Sequence, residues 1–250
     1  MDLNADLGEG FGTWRLGDDD ALLDTITSAN VACGFHAGDA PTMRRVCAAA
    51  ADRNVAVGAQ VGYRDLAGFG RRRIEYAYDE LRDEIVYQIG ALAAFCRLAG
   101  TTLRYVKPHG ALYNTAAVEE CQAAAVVAAV GEYDSTLPIL CQPGTVLAQL
   151  ATGAGLRAVA EGFADRGYRP DGTLVPRTAP DALVTGASEV VERAVRMARD
   201  GVVTARDGSQ VPAAVQSICV HGDTPGAVDL ARRIRSALTE AGLPLRPFTG

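Results

Sequence analysis

Arg104-Tyr105-Val106-Lys107-Pro108-His109-Gly110 decides how this chain is read. Tyr105 and Val106 favour a strand, and Pro108, which has no N–H to give to a ladder, closes the run. Polar residues then gather where the strand should end. Six other short runs share this layout, at residues 1–6, 28–32, 56–59, 138–141, 156–160 and 217–220. Helical spacing fills the intervals: Leu81, Ile85, Ile89, Leu92 and Cys96 recur before Gly100, and Leu230, Ile234, Ala237, Leu238 and Ala241 before Gly242. Seven short strands alternating with helices that carry one apolar stripe predict an α/β fold with a mainly parallel sheet.

A chain of 250 residues, 48% hydrophobic and 22% charged, can bury a full core, and one globular domain over residues 1–250 is expected. The net charge of -6 supplies no global basic field, which argues against nucleic acid or an anionic membrane as the main partner. The longest apolar run, near residues 123–130, is too short to cross a bilayer. The first residues already read as a strand rather than a leader, so a cytoplasmic location is expected. Six cysteines without C-x-x-C spacing speak against a disulfide framework or a structural zinc site. Segments 62–78 and 163–185 exceed ordinary βα loops and read as lids or binding loops.

Residues with catalytic potential fall just after the expected strand ends. The first run leads into Asp6 and Glu9 beside Asn4, the second into His36 and Asp39, and the third into Gln60 and Tyr63. The fourth delivers Lys107 and His109, the sixth Glu161 and Asp165, and the seventh His221 and Asp223. In a parallel barrel those positions share one rim, where active sites of such folds are built. All three histidines belong to it, and so does Lys107, the single lysine among 24 basic residues. A compact ammonium differs chemically from a planar guanidinium, so its survival here points to a role. Asp6 with Glu9 could form a general acid or base pair. Asp39 reads as a helix cap before Pro41. Arg71, Arg72, Arg166 and Arg177, with Tyr168 beside them, could clamp a carboxylate or phosphates. No G-x-x-x-x-G-K-[ST] loop and no G-x-S-x-G elbow occurs, which argues against a P-loop nucleotide site and an ordinary serine hydrolase.

These segments resemble the LamB/YcsF family, the A subunits of bacterial 5-oxoprolinase. The resemblance rests on residues 2–9, 28–39, Val106-Lys107-Pro108-His109-Gly110-Ala111-Leu112-Tyr113-Asn114, 163–166, 174–177 and 220–225, in family order along the chain. It implies a seven-stranded β/α (TIM-like) barrel akin to glycoside hydrolase and deacetylase barrels. It also implies opening of 5-oxo-L-proline to L-glutamate coupled to ATP hydrolysis, with Mg2+ accompanying the nucleotide and with subunits B and C as partners. The expected catalytic set is Asp6, His36, Lys107, His109, His221 and Asp223. Asn4, Glu9, Gln60, Arg71, Arg72, Asn114, Asp165, Arg166, Tyr168 and Arg177 would bind substrate or nucleotide, and no tightly bound metal is expected. Many family members carry Gly-Ala-His-Pro-Gly-Tyr where this chain has Gly58-Ala59-Gln60-Val61-Gly62-Tyr63. Either that position only hydrogen-bonds, and Gln60 substitutes, or activity is altered. Two other functions fit the residues: a metal-dependent deacetylase or glycosidase using Asp6, His36 and His109, and a noncatalytic scaffold presenting ligand to partner subunits.

Overall fold

Every residue of β1 (Asp2–Leu7) is buried, yet the strand alternates strictly between polar and apolar side chains. Leu3, Ala5 and Leu7 join the apolar layer beneath the helices, while Asp2, Asn4 and Asp6 hydrogen-bond to side chains of the neighbouring strands on the opposite face. A strand buried on both faces belongs inside a layer of helices. Here the inner face is polar, so the lumen of the barrel is a hydrogen-bonded interior rather than an oily one.

The computed structural model describes residues 1–177, 179–222 and 226–249. After β1 come α1 (Asp19–Leu23), β2 (Ser28–Ala32), α2 (Ala40–Asp52), β3 (Ala56–Val61) and α3 (Tyr78–Leu98). Then follow β4 (Leu103–Pro108), α4 (Gly110–Ala116), α5 (Glu120–Asp134), β5 (Ile139–Cys141), α6 (Val146–Gly153) and β6 (Ala158–Phe163). The chain ends with α7 (Ala187–Asp200), β7 (Val202–Thr204), β8 (Gln210–Pro212), β9 (Ser217–Val220) and α8 (Ala227–Glu240). Strands β1-β2-β3-β4-β5-β6-β9 close into a parallel barrel, β9 pairing with both β6 and β1. All seven expected strands are present. The left-handed glycines Gly100 and Gly242 follow α3 and α8, as the spacing implied.

Three strands run two or three residues further than their sequence suggested. β3 reaches Val61, β4 Pro108 and β6 Phe163, so Gln60, Lys107 and Glu161 stand inside strands rather than in the loops after them. The antiparallel β7-β8 hairpin outside the barrel was not anticipated, although Asp207-Gly208 between its strands is an ordinary hairpin signal. Asp39 caps α2, accepting from Thr42 N at 3.2 Å, and also takes Gly12 N at 3.0 Å. Among the described residues no helix is long and apolar enough to cross a membrane.

One register row fixes the lumen. Asp6 pairs with Asn30, Asn30 with Gly58, and Gly58 with Tyr105 across four neighbouring strands. A Cβ at position 58 would land on the Tyr105 ring. Glycine there lets the phenol cross the barrel and donate to Asn30 Oδ1 at 2.7 Å.

Candidate active site in the barrel lumen

Lys107 is the hub. Its Nζ lies 2.7 Å from Glu161 Oε1, 3.2 Å from Asp6 Oδ1, 3.2 Å from Cys219 Sγ and 3.4 Å from Asn4 Oδ1. Burial works against the ammonium, but Asp6, Cys219 and Glu161 outweigh it and push its pKa well above the ordinary lysine value. Burial likewise raises the Asp6 carboxyl, yet Lys107, with His221 and His109, holds it well below the usual range. Asn30 donates to Asp6 Oδ1 at 2.8 Å and to Asn4 Oδ1 at 2.7 Å, tying the ion pair to the row below. Lys107 is therefore a permanent charge, not a nucleophilic amine.

Above it, the loop after β2 and the N-terminus of α4 bring His36 and His109 face to face, with ring centroids 4.0 Å apart and planes 6° from parallel. Gly70 makes room for the pair, because a Cβ there would lie 2.9 Å from a side-chain carbon of each. Gln60 Nε2 donates to Glu9 Oε1 at 3.2 Å, which turns its Oε1 toward His36 Nε2 at 3.1 Å. That oxygen only accepts, so His36 carries its proton on Nε2 and leaves a lone pair on Nδ1. Nδ1 is buried without a hydrogen-bond partner among the described residues. By the same reasoning His109 gives its Nε2–H to Phe69 O at 3.0 Å, and its Nδ1 stands 3.8 Å from Glu9 Oε1. Burial first, and the neighbouring His109, lower the His36 pKa well below the ordinary value. Burial, with Arg71 and Lys107 adding, brings His109 to about 4. Both rings are neutral at pH 7.

On the other side of the lumen His221 Nδ1 meets Asp165 Oδ2 at 2.7 Å, and the imidazole stacks on Phe163. Burial raises the Asp165 carboxyl, but His221, Arg166 and Arg177 pull it below its ordinary range. Asp6, Asn4, Glu9, His36, Gln60, Lys107, His109, Asp165 and His221 thus line or flank the lumen. Asp223 lies outside the described residues.

Several expected binding residues have other work. Arg72 is spent on buried Asp65, and Arg166 donates to the carbonyls of Ala182 and Val175. The Tyr168 hydroxyl accepts from Phe163 N at 2.9 Å, Asn114 is exposed and donates to Gly110 O, and Arg177 is exposed. Arg71 does reach the mouth, over the Phe69 ring at 4.9 Å. It helps line a cleft of about 320 Å³ above His36 and Glu9, together with Phe11, Trp14 and Leu66. A larger hollow, about 700 Å³, lies outside the barrel between α7 and the 167–186 loop, and its Arg193 is held by three backbone carbonyls. Glu161 was placed on the rim but given no role, and Tyr113 was not among the expected site residues.

Among the described residues two groups of side chains come close enough to hold a metal: Glu9, His36 and His109, and Asp6, Cys219 and His221. Neither fits one in this arrangement. An imidazole binds a cation in its own plane, along the nitrogen lone pair, and two stacked rings share no such point. In the second group the Cys219 thiol is pushed well above its ordinary value by burial and touches an ammonium, whereas a ligand must be thiolate. The trio of Asp6, His36 and His109 expected for a metal-dependent hydrolase is not assembled, since Asp6 belongs to the Lys107 network.

The model of the LamB/YcsF family matches residues 1–250. The 5-oxoprolinase A subunit of Streptomyces griseus subsp. griseus is 60% identical over 99% of this chain and 99% of its own length. That of Mycobacterium marinum is 59% identical, over 99% and 98%. The crystal structure of the lactam utilization protein from Thermus thermophilus matches with a TM-score of 0.95 at 42% identity, covering 99% of both chains. At 13% identity and a TM-score of 0.54, a putative cellobiose-phosphate cleavage protein from Enterococcus faecalis shares the fold alone. Matched from end to end by the family model and by relatives more than half identical, the chain belongs to the LamB/YcsF family.

Proposed function

We propose that this chain is the A subunit of an ATP-hydrolysing 5-oxoprolinase, and that its lumen holds the lactam ring while it is opened to L-glutamate. A buried, permanently charged ammonium beneath two neutral imidazoles carries this assignment. The relatives named as A subunits support assembly with subunits B and C. The lactam utilization protein supports a cyclic amide as the substrate class.

An unstrained amide is a poor electrophile, so its carbonyl must be activated and the developing oxyanion stabilised. Transfer of the terminal phosphoryl group of ATP to the lactam oxygen does both. Water then adds to the ring carbon, and the C–N bond breaks as the nitrogen takes a proton, which leaves an acyl phosphate; a second water hydrolyses it to the carboxylate and free phosphate. Lys107 neutralises negative charge on the oxygen or the phosphoryl group. His109 Nδ1, unprotonated above about pH 4, accepts the proton of the attacking water. Asp6 orients Lys107 and, with Asp223, water or the ring N–H. His36 and His221 shape the chamber. Arg71 at the mouth meets the substrate carboxylate or the nucleotide. Mg2+ enters with the phosphates of ATP, the hard oxygen ligands it prefers.

The assay is oxoproline-dependent ADP release by the purified chain with and without subunits B and C. Turnover that requires this chain is expected. Equal turnover by B and C alone would remove the lumen from the reaction.

A further inference from the structure

A ring nitrogen is too basic to leave as an anion, so the C–N bond breaks only as a proton reaches it. Most groups in the lumen have none to give. Against burial, Asp6, Cys219 and Glu161 hold Lys107 well above the ordinary lysine value, so its ammonium keeps its protons. Against burial too, Lys107, His221 and His109 keep Asp6 ionised. Burial lowers His36 and His109, and the single N–H of each neutral ring is engaged by Gln60 Oε1 or Phe69 O. His221 differs in its partner. Ser217 and Cys219 of β9 turn inward, to Asn4 and to Lys107, and His221 is the next residue of that parity. Val220 pairs with Ala5, which brings His221 beside Asp6. One of its ring nitrogens lies within 4.8 Å of an Asp6 carboxylate oxygen and of Cys219 Sγ. The imidazole stacks on Phe163 at 5.6 Å between centroids, and Lys107 Nζ lies 5.5 Å from the centroid of the same ring. Asp165, kept ionised against burial by His221, Arg166 and Arg177, can only accept, so Nδ1 donates to its Oδ2 at 2.7 Å. Nε2 is left to take up and give away a proton, and the carboxylate stabilises the imidazolium that forms. Solvent reaches both side chains, 8% and 14% exposed. Gly222, the next residue, lies against Gly17, whose neighbour Leu16 lines the cleft at the mouth.

Resting on the lactam reading above, we infer that His221 is the general acid for ring opening, its Nε2–H protonating the ring nitrogen, and that Asp165 positions the imidazole. Water addition to the phosphorylated lactam gives a tetrahedral carbon bearing a hydroxyl, the phosphate and the ring nitrogen. This carbon can collapse in two ways. With a proton from His221 on the nitrogen, the C–N electron pair goes to nitrogen and the hydroxyl oxygen closes to a carbonyl. The hydroxyl proton passes to the new amine, and an acyl phosphate remains. Without that proton, phosphate is the better leaving group: the C–O pair departs with it, and the lactam re-forms with ATP consumed. His109 holds the proton of the attacking water; solvent takes it away and reloads His221. The dyad therefore couples ATP cleavage to ring opening.

The test uses the complex of this chain with subunits B and C, and follows glutamate and ADP together in water labelled in its oxygen. In the unaltered complex the two products should appear in step. His221→Asn keeps an amide donor for Asp165 and removes Nε2. Glutamate formed per ADP should then fall by about a hundredfold, the scale of a general acid's contribution, while labelled oxygen builds up in the recovered oxoproline. Asp165→Asn, which leaves the imidazole without an anionic partner, should lower the same ratio. A merely structural role lowers both products in parallel. Glutamate and ADP that stay in step in His221→Asn, at whatever rate, overturn the inference. Should His221→Asn fail to fold, the ratio in Asp165→Asn decides in the same way. If the unaltered complex forms no glutamate from oxoproline, the lactam reading falls and this inference with it. Coupled turnover that remains coupled in the variants overturns the inference only.

Discussion

Lys107 shows why a residue with a functional signal must also be judged by what surrounds it. Its replacement by methionine removes one charge from a buried cluster and leaves Asp6 and Glu161 without their counter-ion. Activity should fall about a hundred- to a thousandfold, the cost of losing one oxyanion stabiliser. Stability should fall too, by about 3–5 kcal/mol, because a buried ion pair broken on one side leaves an uncompensated charge. Thermal melts of Lys107→Met alongside turnover check both; full stability with lost activity would mean that the carboxylates find protons or water instead. Gln60 is a second instance. It bridges His36 and Glu9 by one accepted and one donated bond, a task a neutral histidine can also perform. Gln60→His should therefore keep turnover within a few-fold, while Gln60→Leu, which deletes both bonds, should cost about 1–3 kcal/mol by chemical denaturation. The neutral histidines set a pH dependence as well. His109 binds its proton near pH 4 in the fold and near pH 6.5 when unfolded, so between those values the unfolded chain holds more protons. Stability contributed there is complete above about pH 6.5 and declines as pH falls toward 4, by up to about 1.4 kcal/mol per unit for each such ring. Urea titrations across that range should show the slope, and His109→Gln should flatten it.

At the scale of the strand, the alternation of polar and apolar residues explains both what was legible and what was not. Val57, Ala59 and Val61 face the helices, so the β3 run is visible as a strand by its apolar half. Gln60, Lys107 and Glu161 occupy the other half, and a polar residue near the end of such a run reads equally well as the start of a loop. The count and direction of the strands could be read because turns and helices punctuate them. Their ends could not, because the lumen is polar and the usual contrast between inside and outside is absent. The arginine-rich loops misled for a different reason: charge is visible in sequence, but whether it is already neutralised depends on partners such as Asp65, far from obvious until the chain is folded. Gly58 carries the clearest consequence of the alternation. Gly58→Ala would force the Tyr105 ring from its place and break its bond to Asn30, which in turn holds Asp6. Overpacking of this kind costs about 1–3 kcal/mol, and chemical denaturation should register at least that much. Because the displaced row ends at Asp6 beside Lys107, the variant should also lose turnover; unchanged activity would show that Asn30 does not transmit the shift.

At the scale of the whole molecule, the barrel is open at one end and shut at the other. The histidine pair and the cleft lie at the end where the strands finish. At the opposite end Tyr105, Leu140 and Val159 form a small apolar floor, and Phe248 packs beneath it with its ring 4.9 Å from Tyr105. The tail that carries Phe248 is tied to the first strand: the Met1 amine donates to Pro244 O at 2.8 Å, and Arg246 N to Met1 O at 3.0 Å. Arg104, just before Tyr105, holds Thr249 O. Beside that floor the Asp2 carboxyl is raised by burial, with hydrogen bonds from Ser217, Thr27 and Ser28 opposing the shift, so water admitted from below would favour its ionisation. A plug that matters for stability and not for chemistry gives two opposite expectations. Phe248→Ala removes about 1.5–3 kcal/mol of burial at most, which for a chain of this size lowers the melting temperature by roughly 3–12 °C. Turnover of the complex at 25 °C should stay near that of the unaltered protein, since the proposed active site opens at the other end. A melting temperature that does not move would show that the tail merely lies against the barrel; loss of turnover at 25 °C without unfolding would show that the floor helps to shape the chamber above it.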